Sequence, residues 1–149
     1  AVLLAAESLS DVRDLGVLIT SGEELGLAGA RVWAAQARPG IVAINCDTVD
    51  DRGGWRLMYT GAAPVRIRAA AEASSSLKGS KSGIRRFIPG ILADSMAFAD
   101  RGIESVTVSR GTVSTLARIH TRRDNSNAFK GSGVAEASLL LAALTRELA

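Results

Sequence analysis

The chain alternates short runs of apolar residues with longer segments in which apolar residues return every three or four positions. Short apolar runs bounded by turn residues are typical of buried strands, and the longer spacing is typical of helices with one buried face. The pattern predicts strands or extended segments at 15–19, 41–44, 55–60, 84–88 and 105–109. It predicts helices at 1–9, 25–37, 64–77, 95–100 and 133–148, with Pro64 in a first turn and Asp94 as an N-cap.

The order of these elements predicts the fold class. Strands that alternate with helices form largely parallel sheets covered on both faces, and the uniformly apolar runs suit such burial. No repeat or linker divides the chain, and 149 residues suit one domain with a real core. We therefore expect an α/β domain. In its second helix, we expect the buried stripe to consist of Leu25, Ala28, Val32 and Ala35.

Charge and composition exclude some classes of function. The net charge is only +3, and the basic residues are scattered, with no run longer than a pair of arginines. Nucleic-acid binding needs a clustered basic surface, so it is not indicated. No apolar run approaches the roughly 20 residues of a membrane span. The single cysteine, Cys46, excludes an internal disulfide, which fits the cytosol and also an exported protein.

Candidate catalytic groups follow the predicted strands. Glu23 and Glu24 come after the first strand, Asp47 after the second, and His120 after the strand at 105–109. In α/β sheets, ligands bind at the carboxyl ends of the strands. Carboxylates and imidazole are the ligands of catalytic zinc, and a neighbouring acid that does not bind the metal can move a proton. The adjacent acids could divide these two roles.

Each of these residues also has a simpler interpretation, and spacing alone leaves the choice open. A pair of glutamates at the start of a helix interacts favourably with the helix dipole. A single histidine in a loop is often exposed to solvent without binding anything. Asp47 could be an ordinary turn residue.

Four segments together resemble a known family. They are SGEELGLAGAR, NCD, AFADRGIESVTVSRG and HTRRD, and they occur in the order typical of the zinc exopeptidase family of bacterial di-zinc aminopeptidases. Relatives of that family include glutamate carboxypeptidase-like enzymes and glutaminyl cyclases. The resemblance implies a three-layer α/β/α sandwich with a mixed, mostly parallel sheet. It implies that Glu23 is the general base, that Glu24 and His120 share one zinc ion, and that Asp47 binds the other.

The chain departs from the family pattern at its beginning. The family needs one further histidine and a bridging aspartate, both upstream of the SGEE segment, and neither is present here. The stretch from Asp94 to Gly102 is similar to a segment near the family's site, and we assign it no catalytic role. We expect residues 1–149 to be the C-terminal portion of a single zinc peptidase catalytic domain. Because two protein ligands hold zinc poorly, we expect weak zinc binding and little turnover from this chain alone.

The sequence thus favours a zinc-dependent metallopeptidase that acts as an aminopeptidase on peptides or small amides. One alternative is a non-catalytic interaction domain that has kept the peptidase fold, which the missing ligands support. Another is a zinc acyltransferase of the glutaminyl cyclase type, against which the aromatic content of 4% argues. Side-chain preference, oligomeric state and compartment cannot be read from the sequence.

Overall fold

The computed structural model describes residues 1–74, 83–87 and 91–149. Six α-helices and four strands follow one another in these ranges. The helices are α1 (Val2–Glu7), α2 (Ala28–Ala34), α3 (Val65–Ala73), α4 (Asp94–Ala99), α5 (Val113–Leu116) and α6 (Ser132–Leu148). The strands are β1 (Val42–Val49), β2 (Gly54–Tyr59), β3 (Ile84–Arg86) and β4 (Glu104–Gly111), and short 3-10 turns form at Glu23–Leu25 and Ser126–Ala128.

The four strands form one mixed sheet in the order β1-β4-β2-β3. β1 pairs with β4 in parallel, β4 with β2 antiparallel, and β2 with β3 in parallel. Two of the three pairings are therefore parallel, which confirms the predicted α/β class with a mostly parallel sheet. Because β1 and β4 run in the same direction, their carboxyl ends meet at one edge of the sheet.

Helices cover both faces of the sheet, as a three-layer fold requires. On one face, α1 and α3 pack against α6, and the sheet contributes the fully buried Leu57 and Val108. Alpha6 fills this layer with leucines at helical spacing, namely Leu140, Leu141 and Leu144. Full burial of one such side chain stabilises the fold by about 1.5–3 kcal/mol.

The opposite face is covered by α2 and α4. Leu27, Ala30 and Phe98 form its apolar centre, and Trp33 meets Phe98 edge to face at 5.4 Å between ring centroids. Small hydroxyl residues join α4 to the sheet: Ser95 Oγ lies 2.7 Å from Thr107 Oγ1, and Ser105 Oγ donates to the Ser95 carbonyl at 2.8 Å. Buried polar groups cost free energy unless they are paired, and these are paired.

Two predictions about the first third of the chain are wrong. The run at 15–19 forms no strand, and its apolar residues are exposed, with Ile19 at 78%. An apolar run indicates a tendency to be buried, but a strand also needs a neighbour, and β1 pairs only with β4 among the described residues. The predicted stripe of α2 is also wrong, because Leu25 is 80% exposed whereas Leu27 is 1% exposed.

Other differences concern the bounds of the elements. Beta1 continues through Asp47 to Val49, so this acid lies within the strand and not beyond its end. Alpha5 forms at Val113–Leu116, where the sequence pattern predicts neither a helix nor a strand. Part of the helix predicted at 64–77 and part of the strand predicted at 84–88 lie outside the described residues. None of the described helices is both long enough and apolar enough to cross a membrane.

Candidate metal centre

Glu23 and Glu24 lie on a tight turn between the extended segment and α2. The turn is bounded by Gly22 and Gly26, both in the left-handed region with φ of 69° and 74°. Glycine adopts this conformation without steric cost, which explains the two glycines around the acids. The amide of Gly29 donates to the Ser21 carbonyl at 3.0 Å, so the start of α2 fixes the chain just before the acids.

That contact leaves no room for a side chain at Gly29. A Cβ atom at this position would lie 2.5 Å from the Ser21 carbonyl oxygen, which is backbone and cannot rotate away. The small-residue pattern after SGEE therefore has a local cause: it allows α2 to approach the backbone that precedes Glu23.

Glu24 and His120 are brought together by the fold. The Nε2 atom of His120 lies 3.4 Å from Oε1 of Glu24. The histidine has a φ of 64° and lies in a turn between Arg118 and Thr121. Two hydrogen bonds close this turn: the amide and the hydroxyl of Thr121 both donate to the Arg118 carbonyl, at 3.0 Å and 2.6 Å. Histidine adopts this left-handed conformation more readily than most residues. Both side chains are largely exposed, at 74% and 76%.

Asp47 occupies an irregular part of β1, close to the two glutamates. The register of β1 against β4 shifts between Cys46 and Val49, and Thr48 within this bulge has a φ of 52°, which is unusual for a β-branched residue. Burial raises the pKa of the Asp47 carboxyl, hydrogen bonds from Thr48 act against it, and the charge of Glu24 adds to the rise. Bulges of this kind redirect side chains next to functional sites.

The electrostatics of Glu23 show that these acids form one cluster. Burial is the largest cause of the raised pKa of Glu23, and the negative charges of Asp47, Asp94 and Glu24 raise it further. The charge of His120 acts in the opposite direction. All four residues singled out from the sequence are therefore close enough to influence one another.

Asp94 is the member of the cluster that sequence reasoning missed. It lies in the first turn of α4 and caps nothing, so the predicted N-cap role is wrong; Ala93 occupies that position. Its side chain is buried, with the hydroxyl of Thr20 donating to Oδ2, while Oδ1 has no hydrogen-bond partner among the described residues. An acid at the end of the short apolar run 91–93 was the available signal.

These donors fit zinc in type and only partly in number. Carboxylate and imidazole are suitable ligands, and Glu24 with His120 offers two groups to a single ion. Within residues 1–74, 83–87 and 91–149, no three His, Cys, Asp or Glu side chains are grouped closely enough to hold a metal. Zinc sites in proteins ordinarily have three or four protein ligands. The arrangement is therefore half of a typical site.

A mainly apolar cleft adjoins Asp47. Its walls include the apolar residues Met58, Phe87, Ile91 and Leu116, and Arg56 is among its polar residues. Phe87 is an aromatic residue in the wall of this cleft. Trp55 lies under the guanidinium of Arg110, and Tyr59 under that of Arg86, at 5.3 Å and 5.9 Å from the ring centroids.

The sheet and its cluster of acids with one histidine define an α/β domain with a candidate metal centre. The model of Peptidase family M28 matches residues 1–145, and the chain belongs to that family. This match confirms the family resemblance of the sequence. A search of curated proteins gives no match.

A solved structure supports the fold independently. An aminopeptidase from Aneurinibacillus sp. strain AM-1 superposes with a TM-score of 0.70 over 87% of this chain, at 17% sequence identity. The match covers 32% of that aminopeptidase, so the chain spans about a third of its length. At this identity the likeness shows a shared fold.

Proposed function

We propose that this chain forms part of the catalytic domain of a zinc-dependent aminopeptidase, which hydrolyses the N-terminal peptide bond of its substrates. The observation that carries the proposal is the contact between Glu24 and His120 beside Glu23, in a chain that belongs to Peptidase family M28. The aminopeptidase that shares the fold supports the same reaction.

Each residue of the site has a role that follows from its chemical type and its position. Glu24 and His120 would hold one zinc ion, and Asp47 would contribute to a second. Bound zinc polarises a carbonyl group and lowers the pKa of water. Glu23 takes the proton of the attacking water and delivers it to the leaving amine. Its partial burial among other acids raises its affinity for a proton, which suits a group that must both accept and release one.

The cleft beside Asp47 supplies the place for the substrate. Its walls of Met58, Phe87, Ile91 and Leu116 bury apolar surface and exclude water from a bound side chain. Peptides or small amides are the substrate class that fits both the cleft and the family.

We further propose that residues 1–149 are the C-terminal portion of a single catalytic domain. Two observations support this extent. The described residues bring together two zinc donors and not three, and the superposition covers about a third of the aminopeptidase. On this proposal, zinc binds weakly to the chain alone, since the remaining ligands belong to other sequence.

A second candidate function is a non-catalytic interaction domain with a peptidase fold. The observation in its favour is the same shortage of ligands within the described part of the chain. The two candidates differ in what they require of Glu23, because an interaction domain has no use for a general base.

Substitution of Glu23 by Gln in the complete gene product that contains these residues tests the proposal. Gln keeps the size of the side chain and removes its ability to take a proton. We expect hydrolysis of an aminoacyl-anilide to fall by at least about a hundredfold, with zinc content unchanged by elemental analysis. Full activity of E23Q would refute the assigned base. An inactive wild-type gene product that binds a partner would favour the interaction domain.

A further inference from the structure

Two consecutive aspartates directly after β1 accept hydrogen bonds from the two ends of the segment that carries His120. Asp50 contacts the beginning of this loop and Asp51 its end. The Asp51 carboxylate accepts hydrogen bonds from the Gly133 amide at 2.8 Å, from the Ser132 hydroxyl at 3.0 Å and from the Lys130 amide, so it fixes the start of α6. Asp50 has a different set of partners, which lie much closer to the histidine.

Asp50 is buried, with 7% of its side chain exposed, and its partners lie on the His120 loop. Its Oδ2 atom accepts a hydrogen bond from Thr115 Oγ1 at 2.7 Å and another from Arg118 at 2.8 Å. Thr115 belongs to α5 and also closes the capping box of that helix with Thr112. The backbone of Asp50 is fixed as well, because its amide donates to the Arg110 carbonyl of β4 at 2.9 Å.

Arg118 connects the buried carboxylate to the turn of His120. Its guanidinium contacts Asp50 on one side and lies 3.7 Å from Asp124 on the other. Its carbonyl accepts both hydrogen bonds from Thr121 that close the turn around the histidine. The residue therefore connects a fixed point of the sheet, Asp50, with Thr121, which directly follows His120.

The buried contacts of Asp50 stabilise the loop more than the exposed contact between Glu24 and His120 does. A buried carboxylate is costly unless it is paired, and removal of its partner is strongly destabilising. Burial acts to raise the pKa of Asp50, but hydrogen bonds from Thr115, Arg52 and Arg118 outweigh it and leave the pKa below the ordinary value. The contact between Glu24 and His120 is exposed, and exposed pairs contribute little. Asp50, and not Glu24, can hold the loop in place before a metal arrives.

We propose that Asp50 is a positioning residue, which fixes His120 opposite Glu24 through Arg118 and Thr115. The inference rests on the proposed function, in which His120 is a zinc ligand. Asp50 itself touches neither metal nor substrate. Its effect on zinc comes from the order it imposes on the turn, as is typical of groups that orient metal ligands from outside the coordination sphere.

The test uses the purified 149-residue chain and three substitutions. Asp50→Asn keeps the shape of the side chain and removes the charge that faces Arg118. Arg118→Gln removes the same ion pair from the other side, at a residue that is 24% exposed and thus less critical for folding. Asp51→Asn is the matched control, because it removes an equal charge from the other end of the same loop.

Two measurements report on His120. It is the only histidine of the chain, so its imidazole NMR signals identify it without ambiguity, and zinc chloride is titrated against them. Relaxation of the 119–121 amides in the metal-free chain, relative to the amides of β1, gives the order of the turn. A role in stability alone would not single out these amides.

We expect D50N and R118Q to weaken the zinc response of the imidazole by about tenfold or more, and to lower the order of 119–121. D51N should leave both within about twofold of wild type. Equal zinc responses in wild type and D50N would overturn the positioning role and leave the zinc function standing. Should wild-type His120 show no response even to a large excess of zinc, its assignment as a zinc ligand is refuted, and the inference falls with it. If D50N does not fold, R118Q decides the question by the same two measurements.

Discussion

The Nε2 atom of His120 lies 3.4 Å from Oε1 of Glu24, although the two residues come from distant parts of the chain. Stability does not account for this contact, because exposed ion pairs contribute only about 0–1 kcal/mol. Each side chain is about three-quarters exposed, so both can be reached from solvent. Position at the sheet edge does account for the contact: Glu24 lies near Asp47 in the last part of β1, and His120 follows β4, whose carboxyl end meets that of β1.

The turn with the two glutamates determines which face of α2 is buried, and this gives a stability prediction. Leu27 is 1% exposed and belongs to the cluster with Ala30 and Phe98, whereas Leu25 is 80% exposed. We expect Leu27→Ala to lower the free energy of unfolding by about 2–5 kcal/mol, through lost burial and a cavity. Leu25→Ala, the matched control, should change it by less than about 0.5 kcal/mol. Urea denaturation of both variants measures the difference, and equal losses would contradict the packing described for α2.

The low pKa of Asp51 predicts that the fold loses stability in acid. Hydrogen bonds from the Gly133 and Lys130 amides are the largest causes of its low pKa, about 2 instead of 3.8. A depressed folded-state pKa stabilises the fold above the ordinary value and loses that contribution as the pH falls. The contribution of Asp51 should therefore be complete above about pH 5 and be lost progressively as the pH falls through 2.

Asp51→Asn removes this contribution and should flatten the pH dependence of the free energy of unfolding between pH 4 and pH 2. Asp14→Asn is a suitable control, because it removes the same charge from an exposed residue. Denaturation at a series of pH values measures both. A D51N curve parallel to that of wild type through this window would contradict the cap that Asp51 provides for α6.

The sequence predicts those parts of the fold that depend on local pattern. Alpha6 was predicted nearly in full and β4 in its central part, because their apolar residues are regular and lie in the centre of the core. The apolar run at 15–19 was mispredicted, since its residues neither pair with a strand nor become buried among the described residues. The buried face of α2 was also mispredicted, because Gly26 and Leu27 adopt left-handed conformations that interrupt the helical spacing.

The candidate site likewise contains residues that the sequence predicts and one that it does not. The family resemblance implied that Glu24 and His120 lie together, and the structure does bring them together although residues 15–19 form no strand. The sequence pattern does not distinguish Asp50 from the other acidic residues of the chain. Its importance comes from its hydrogen bonds with Thr115 and Arg118, which lie in and just after α5. The sequence pattern does not predict this helix.

The central claim is that Glu24 and His120 bind zinc together, and weakly in this chain alone. Zinc titration of wild type and Glu24→Gln, by calorimetry and by the NMR signals of the single imidazole, tests this claim most directly. We predict that zinc shifts the His120 signals of wild type with a dissociation constant above about 1 μM, and that E24Q weakens binding about tenfold or more. Sub-micromolar binding, or an imidazole whose response to zinc is the same without Glu24, would contradict the account.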